Sequence, residues 1–105
     1  MSEFFPVATV DQLPPGTILA CMVGGKEIAV VNCDGTLYAI SNVCSHEYAQ
    51  LSEGELDSDD CTIECPLHGA IFALRTGKVR ALPATEPIPV YAVKVVDDTV
   101  QIAVS

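Results

Sequence analysis

The sequence contains Cys44-Ser45-His46 and, after an intervening stretch of 18 residues, Cys65-Pro66-Leu67-His68. These two segments hold the only two histidines of the chain, and each histidine lies close to a cysteine. A histidine that only fills a gap in a core has no reason to be placed in this way twice. Thiolate and imidazole are metal ligands, so Cys44, His46, Cys65 and His68 are predicted to bind metal at one site.

Backbone geometry accounts for the spacing in both segments. The first cysteine and histidine are two residues apart, and in an extended backbone such side chains project to the same side. The second pair is three residues apart, so the chain must turn to bring its side chains together. Pro66 suits the second position of a β-turn, and Gly69 can adopt backbone conformations that other residues resist. Each segment is therefore expected to present one thiolate and one imidazole.

Two kinds of metal site use two cysteines and two histidines. A mononuclear zinc site is one, but zinc fingers pair cysteine with cysteine and histidine with histidine at short spacing. The mixed pairs of this sequence suit a two-iron cluster in which both cysteines bind one iron and both histidines bind the other. The pattern favours a [2Fe–2S] cluster, with structural zinc as the alternative.

The remaining sequence predicts short β-strands joined by tight turns. No segment has a sustained helical period, so an all-β antiparallel sandwich or barrel of roughly eight or more strands is expected. Two stretches interrupt the strands, the acidic residues 42–64 and residues 65–70, and we interpret both as functional connections. The predicted strand pairs are 17–23 with 27–31, 30–33 with 36–40, 71–74 with 79–82, and 90–96 with 99–104.

Composition limits the possible partners. The 105 residues suffice for one domain, half of them are hydrophobic, and 14 acids against five bases give a net charge of −9. This charge argues against nucleic acid and anionic membranes and suits basic patches on partner proteins, although it also serves solubility. No apolar run is long enough to span a membrane, and no secretory signal is recognisable. We expect a complete, cytoplasmic chain.

The cysteine count points to metal ligands and thiols. Five cysteines are an odd number, and cytoplasmic proteins rarely keep disulfides. Cys21 and Cys33 match no ligand position and are expected in the core, where a free cysteine behaves as a small hydrophobic residue. Cys61 lies four residues before a ligand and is expected to be a thiol without a ligand role.

The motif Cys-x-His with Cys-Pro-Leu-His-Gly resembles the Rieske signature. The whole chain is similar to the soluble Rieske ferredoxins of bacterial aromatic-ring-hydroxylating dioxygenase systems. The resemblance implies a single domain over residues 1–105, a β-sandwich with a small two-loop cluster-binding subdomain at about residues 42–70. It also implies one [2Fe–2S] cluster, with Cys44 and Cys65 on the inner iron and His46 and His68 on the outer one. The segments that carry it beyond the motif are 52–57, 63–65, 76–79, 81–83, 87–91 and 93–95.

The resemblance further implies a monomeric one-electron carrier in the degradation of aromatic compounds. Electrons would come from an NAD(P)H-dependent, flavin-containing ferredoxin reductase and go to a terminal Rieske oxygenase. Tyr48, Leu67 and Pro83 are expected to form an apolar docking patch surrounded by acids. Enzymatic activity is not expected, because both histidines bind the cluster and none remains for a mononuclear iron. A small subunit of a nitrite-reductase-like enzyme, which shares this fold, is the alternative.

Four departures from the respiratory Rieske proteins bear on the reduction potential. Those proteins have a disulfide between the ligand loops, and the matching residues here are Ala49 and Leu67. They also have a serine and a tyrosine that donate hydrogen bonds to sulfur, and the matching residues here are Ala70 and Phe72. Such donors stabilise the reduced cluster. The sequence therefore predicts a potential near the lower end of the Rieske range of about −150 to +300 mV.

Overall fold

Two antiparallel sheets make up the part of the chain that the computed structural model describes, residues 3–43, 50–66, 69–81 and 87–103. The large sheet has the strand order β1-β10-β9-β4-β3-β2, and the small sheet has the order β5-β6-β7-β8. The large sheet consists of β1 (Phe4–Thr9), β2 (Ile18–Val23), β3 (Lys26–Cys33), β4 (Thr36–Ser41), β9 (Val90–Val96) and β10 (Thr99–Ala103). The small sheet consists of β5 (Glu55–Asp57), β6 (Thr62–Glu64), β7 (Ile71–Ala73) and β8 (Val79–Ala81). Two short 3-10 helices cover Val10–Gln12 and Leu51–Glu53.

Three hairpins of the large sheet turn at the residues that the sequence predicts. The turns are Gly24-Gly25, Asp34-Gly35 and Asp97-Asp98, and all six residues have positive φ. Two-residue turns of this kind match the right-handed twist of the strands they join. Glycine adopts the conformation freely, and aspartate tolerates it better than most residues. The predicted hairpins are confirmed.

Strand β3 is buried on both faces from its third residue to its last. On one face Ile28 and Val30 belong to a core enclosed by the large sheet, whose edge strands β1 and β2 contact each other. On the other face Ala29 and Val31 belong to a second core, which the large sheet shares with the small one. The predicted all-β antiparallel sandwich is confirmed. Strand β3 lies between its two hydrophobic cores and contributes side chains to both.

The prediction of one long connection over residues 42–64 is wrong. This segment contains the second 3-10 helix and the hairpin of β5 and β6. Both strands have only three residues, too few for an alternating hydrophobic pattern to be recognised. Strand β1 was not predicted from the sequence; it lies at the edge of the large sheet, where a strand can accept Pro6.

The expectation that Cys33 and Cys61 are free thiols is wrong as well. They form a disulfide, with a Cα–Cα distance of 5.8 Å and a sequence separation of 28 residues. Cys33 ends β3, where it is buried in the core shared by the sheets as predicted, and Cys61 ends the turn between β5 and β6. The bridge therefore joins the large sheet to the small one. Cys21 remains a thiol, and burial raises its pKa.

The disulfide is predicted to stabilise the fold by restricting the unfolded chain. Closing a loop of this length contributes about 3.6 kcal/mol, so the double variant C33A/C61A should lose about that much free energy of unfolding. Urea denaturation of the metal-loaded protein measures it, and chemical reduction of the unchanged protein should give a similar loss. The matched control is Cys21→Ser, expected to cost about 1 kcal/mol or less. Equal losses in the control and the double variant would contradict the prediction.

Candidate metal centre

One of the four predicted ligands, Cys65, lies in the part of the chain that the structure describes. Its side chain is only 1% exposed, and it is a thiol rather than part of a disulfide. Cys65 follows β6 directly and belongs to the core shared by the two sheets. Cys44, His46 and His68 lie outside the described residues. The joint ligation of metal by all four therefore stays a prediction.

The second ligand loop, residues 65–70, is closed at its base by two backbone hydrogen bonds. The amide of Cys65 donates to the carbonyl oxygen of Ala70 at 2.7 Å, and the amide of Gly69 donates to the carbonyl oxygen of Cys65 at 3.1 Å. Gly69 has a φ of +76°, a left-handed conformation that glycine adopts without steric cost. The conformational role predicted for Gly69 is confirmed. The closed base holds the Cys65 thiol at the inner end of the loop.

Asn42 holds both ends of the segment that contains the first ligand loop. Its side-chain oxygen accepts a hydrogen bond from the amide of Ser52 at 2.7 Å, and its backbone carbonyl accepts one from Leu51 at 2.8 Å. Its own amide donates to the carbonyl of Glu27 on β3 at 3.0 Å. Asn42 is only 2% exposed. It therefore anchors this loop to the large sheet.

The sequence contained no signal that would have identified Asn42. An asparagine after a strand is typical of many turns, and its partners lie about ten residues away in the sequence. Only the packing of the 3-10 helix Leu51–Glu53 beside the end of β4 brings these groups together.

Gly54 lets the two ligand-loop segments lie side by side. A Cβ atom at this position would overlap the carbonyl oxygen of Glu64, the residue before Cys65. Leu51 packs into the same core as Cys65 and Ala70. The chain that leaves the first loop thus runs directly against the chain that enters the second. Both loops start from one small region of the molecule, as a shared metal site requires.

The opening beside Cys65 is a cavity of about 400 Å³ with an acidic wall. Three of its residues are glutamates, so the negative charge expected around the site is present in the described part of the wall. Negative charge near a redox centre disfavours the addition of an electron. The cavity is lined by Glu53, Gly54, Glu55, Glu64, Cys65, Pro66 and Gly69.

The residues present fit an iron–sulfur cluster. Cys65 offers a buried thiol of the type that holds the inner iron in such centres. Ala70 and Phe72, beside it in the core, are fully buried and have no side-chain hydroxyl. An antiparallel β-sandwich with two adjacent loops, each with one cysteine and one histidine in its sequence, is the class of Rieske-type iron–sulfur proteins.

Comparison with protein families agrees with this class. The model of the Rieske [2Fe–2S] domain matches residues 3–92. The chain belongs to the Rieske family and carries one Rieske-type [2Fe–2S] cluster. Its homologues are ferredoxin subunits of aromatic dioxygenases, electron-transfer components rather than catalytic enzymes.

One curated relative covers the full length. The 3-phenylpropionate/cinnamic acid dioxygenase ferredoxin subunit of Photorhabdus laumondii is 46% identical over 105 residues, which is 100% of this chain and 97% of the relative. Among solved structures, the ferredoxin of carbazole 1,9a-dioxygenase from Nocardioides aromaticivorans IC177 has a TM-score of 0.92 and 43% identity. That match covers 95% of this chain and 96% of the other.

Two further solved structures bear on the possible partners. A ferredoxin in a complex of reduced oxygenase and oxidised ferredoxin of carbazole 1,9a-dioxygenase has a TM-score of 0.87 and 38% identity, over 94% of this chain and 100% of the other. A chain described as an NADH-dependent nitrite reductase small subunit, from Mycobacterium tuberculosis, has a TM-score of 0.88 at 23% identity, over 100% of this chain and 97% of the other. The second likeness shows the fold alone. No helix among the described residues has the length and apolarity needed to cross a membrane.

Asn42 provides a test of how the first ligand loop is held. Asn42→Ala removes the acceptor for Ser52, which should cost about 1–3 kcal/mol of unfolding free energy. If only about 1 kcal/mol of this acts locally, opening of the loop becomes about fivefold more frequent. Loss of the cluster to an iron chelator should accelerate by the same factor, as measured by the decay of visible absorbance.

Asn32→Ala is the matched control for that experiment. Asn32 is also buried, donates to the carbonyl of Leu13 at 2.6 Å and accepts from the amide of Gly35 at 2.7 Å. These contacts lie at the other end of β3, so this variant should lose stability without accelerating cluster loss. Equal acceleration in the two variants would mean that Asn42 acts only through global stability.

Proposed function

We propose that this electron-transfer protein passes single electrons from an NAD(P)H-dependent, flavin-containing ferredoxin reductase to a terminal ring-hydroxylating Rieske oxygenase. It would work in the degradation of aromatic compounds, as a monomer in the cytoplasm. The observation that carries the proposal is the full-length similarity to dioxygenase ferredoxin subunits. The complex of a related ferredoxin with its oxygenase supports the oxygenase as electron acceptor.

We infer the ligand set from the sequence motif together with the described end of the second loop. Cys44 and Cys65 would bind the inner iron, and His46 and His68 the outer one. When bound, the cluster accepts and releases one electron. Strand β6 and the shared core hold the Cys65 thiol in place. Two backbone hydrogen bonds close the base of this loop at Cys65, Gly69 and Ala70.

The buried surroundings of Cys65 support a low reduction potential. Ala70 and Phe72 are each 0% exposed and belong to the same core as Cys65. Neither side chain can donate a hydrogen bond to sulfur, so the reduced cluster lacks a stabilisation that hydroxyl groups would give. The glutamates of the neighbouring cavity act in the same direction, because they repel added negative charge.

A redox titration followed by EPR of the reduced protein tests the proposed carrier. We expect a Rieske-type signal near the lower end of the range of about −150 to +300 mV. In Ala70→Ser, a new hydrogen bond to sulfur of about 1 kcal/mol would raise a one-electron potential by on the order of 50 mV. A high potential in the unchanged protein would contradict the argument from Ala70 and Phe72. A preparation with zinc in place of iron would contradict the ligand assignment.

The proposed docking patch of Tyr48, Leu67 and Pro83 lies outside the described residues and is tested by kinetics. Leu67→Ala should slow electron transfer to the oxygenase roughly fivefold, the effect of losing about 1 kcal/mol of docking energy. Stopped-flow mixing of reduced protein with oxidised oxygenase measures the rate. Val95→Ala is the matched control, because Val95 is 48% exposed near the far end of β9. Unchanged kinetics in Leu67→Ala with an intact cluster would exclude the patch.

The small subunit of a nitrite-reductase-like enzyme remains the second candidate, because it has the same fold. The presence of all four ligand residues in the sequence and the higher identity to dioxygenase ferredoxins favour the carrier. Purification of the tagged protein from its own cells distinguishes the two. A large subunit that stays bound through gel filtration would favour the second candidate.

A further inference from the structure

A cavity of about 420 Å³ opens at the end of the small sheet where the disulfide lies. Cys33 and Glu27 are six residues apart on β3, or about 20 Å along the strand. Glu27 marks the end of β3 near the first ligand loop, because Asn42 contacts it. Cys33 marks the opposite end of β3, and the cavity lies there beside the disulfide. It is lined by Tyr38, Asp60, Cys61, Ala73, Arg75, Thr76, Lys78 and Arg80.

The cavity is basic in a protein that is otherwise strongly acidic. Arg75, Lys78 and Arg80 are three of the five lysine and arginine residues of the whole chain. Asp60 is the one acid among the lining residues, so three positive charges and one negative charge leave a local charge of +2. Two arginines can each bind a carboxylate through paired hydrogen bonds. The cavity volume falls within the range of small-molecule sites.

One of the two bridged cysteines lines this cavity. Cys61 is among its lining residues and is half-buried. Cys33 is only 2% exposed and is packed into the core between the sheets. A reagent held in the cavity would therefore meet Cys61, whereas the core shelters Cys33. The bridge thus has an exposed side for attack and a sheltered cysteine as the leaving group.

We propose that this cavity is a site of thiol–disulfide exchange with a small anionic thiol of the glutathione type. The basic side chains would bind its carboxylates and favour its thiolate form, which is the reactive one. A thiol of this class has carboxylates that match the basic side chains of the cavity and a thiol group that can react with the disulfide. The site goes beyond electron transfer, since none of its lining residues is a predicted cluster ligand.

The exchange is a balanced substitution at sulfur. The incoming thiolate attacks Sγ of Cys61 and forms a new S–S bond, while the bond to Cys33 breaks and its electron pair stays on Sγ of Cys33. That thiolate takes a proton from water, and the carbonyl oxygen of Ser58, 3.4 Å from Sγ of Cys33, is placed to accept the resulting S–H. A second anionic thiolate then attacks the sulfur of the first small thiol in the mixed disulfide. The two small thiols leave together as a disulfide, and Cys61 is released as a thiolate that takes a proton from water.

Opening of the bridge would release the turn between β5 and β6 from the large sheet. Cys61 has a φ of +53°, a left-handed conformation that costs a residue with a side chain about 1 kcal/mol or more. The disulfide is the covalent link that keeps this residue against Cys33. In a cytoplasm rich in small thiols most disulfides are reduced. A bridge with a reagent-sized basic cavity beside it is suited to be opened there by such a thiol.

The test uses the cluster-loaded, aerobically purified protein and reduced glutathione as the probe. Samples are quenched in acid, denatured and alkylated, and the modified cysteine is mapped by peptide mass. We expect the mixed disulfide on Cys61 and a newly alkylated Cys33. In R75Q/R80Q the rate should fall about tenfold, because electrostatic attraction of the thiol is lost. The rate with the neutral thiol 2-mercaptoethanol should change little.

K26Q/K94Q is the matched control, since it removes two positive charges from the large sheet, at residues that do not line the cavity. Its rate with glutathione should stay close to that of the unchanged protein. Equal slowing in both double variants, modification of Cys21 or Cys33 instead of Cys61, or absence of the bridge in the purified protein would each overturn the proposal.

Should R75Q/R80Q fail to fold, the reaction rates of glutathione and of the cationic thiol cysteamine are compared on the unchanged protein. Faster reaction of cysteamine at equal thiolate concentration would then overturn it. Electron transfer is not a readout, so this result is independent of the carrier function.

Discussion

The packing of the small sheet against one face of β3 is the contact on which the rest of the structure depends. Ala29, Val31 and Cys33 of β3 meet Ile63 and Phe72 of the small sheet in one buried core. The strands of the small sheet have only three residues each, and such short strands are not stable alone. The large sheet supplies the apolar surface that they need. The described ends of the two predicted ligand loops are therefore held in place through this contact.

The same contact places the ligand loops at one end of the small sheet and the disulfide at the other. At the first end, Asn42 holds the ends of the first loop segment, Gly54 lets that segment lie against the second, and Cys65 enters the core. At the second end, the bridge ties the turn before β6 to the end of β3. The small sheet is thus fastened at both ends, by hydrogen bonds at one and by a covalent bond at the other.

The charged residues also differ between the two ends of the small sheet. Glutamates line the cavity beside Cys65, whereas three of the five bases line the cavity beside Cys61. The two ends of the small sheet therefore differ in sign, although the whole chain is acidic. Acidic surfaces attract basic patches of other proteins over distances of about a Debye length. The basic end would attract anions instead. The two ends would therefore favour binding partners of opposite charge.

The sequence by itself determined the metal motif, the family resemblance and the hairpin turns, because each depends on residues close together in the chain. Gly24-Gly25, Asp34-Gly35 and the closed loop around Gly69 follow from local backbone preferences. The tertiary structure alone decided the roles of Asn42, Cys33 and Cys61. Their partners come from distant segments, and only burial of the core between the sheets brings them within bonding distance. The backbone conformation of a turn depends on a few neighbouring residues and can be predicted from them. Long-range contacts depend on which apolar surfaces are buried together away from water.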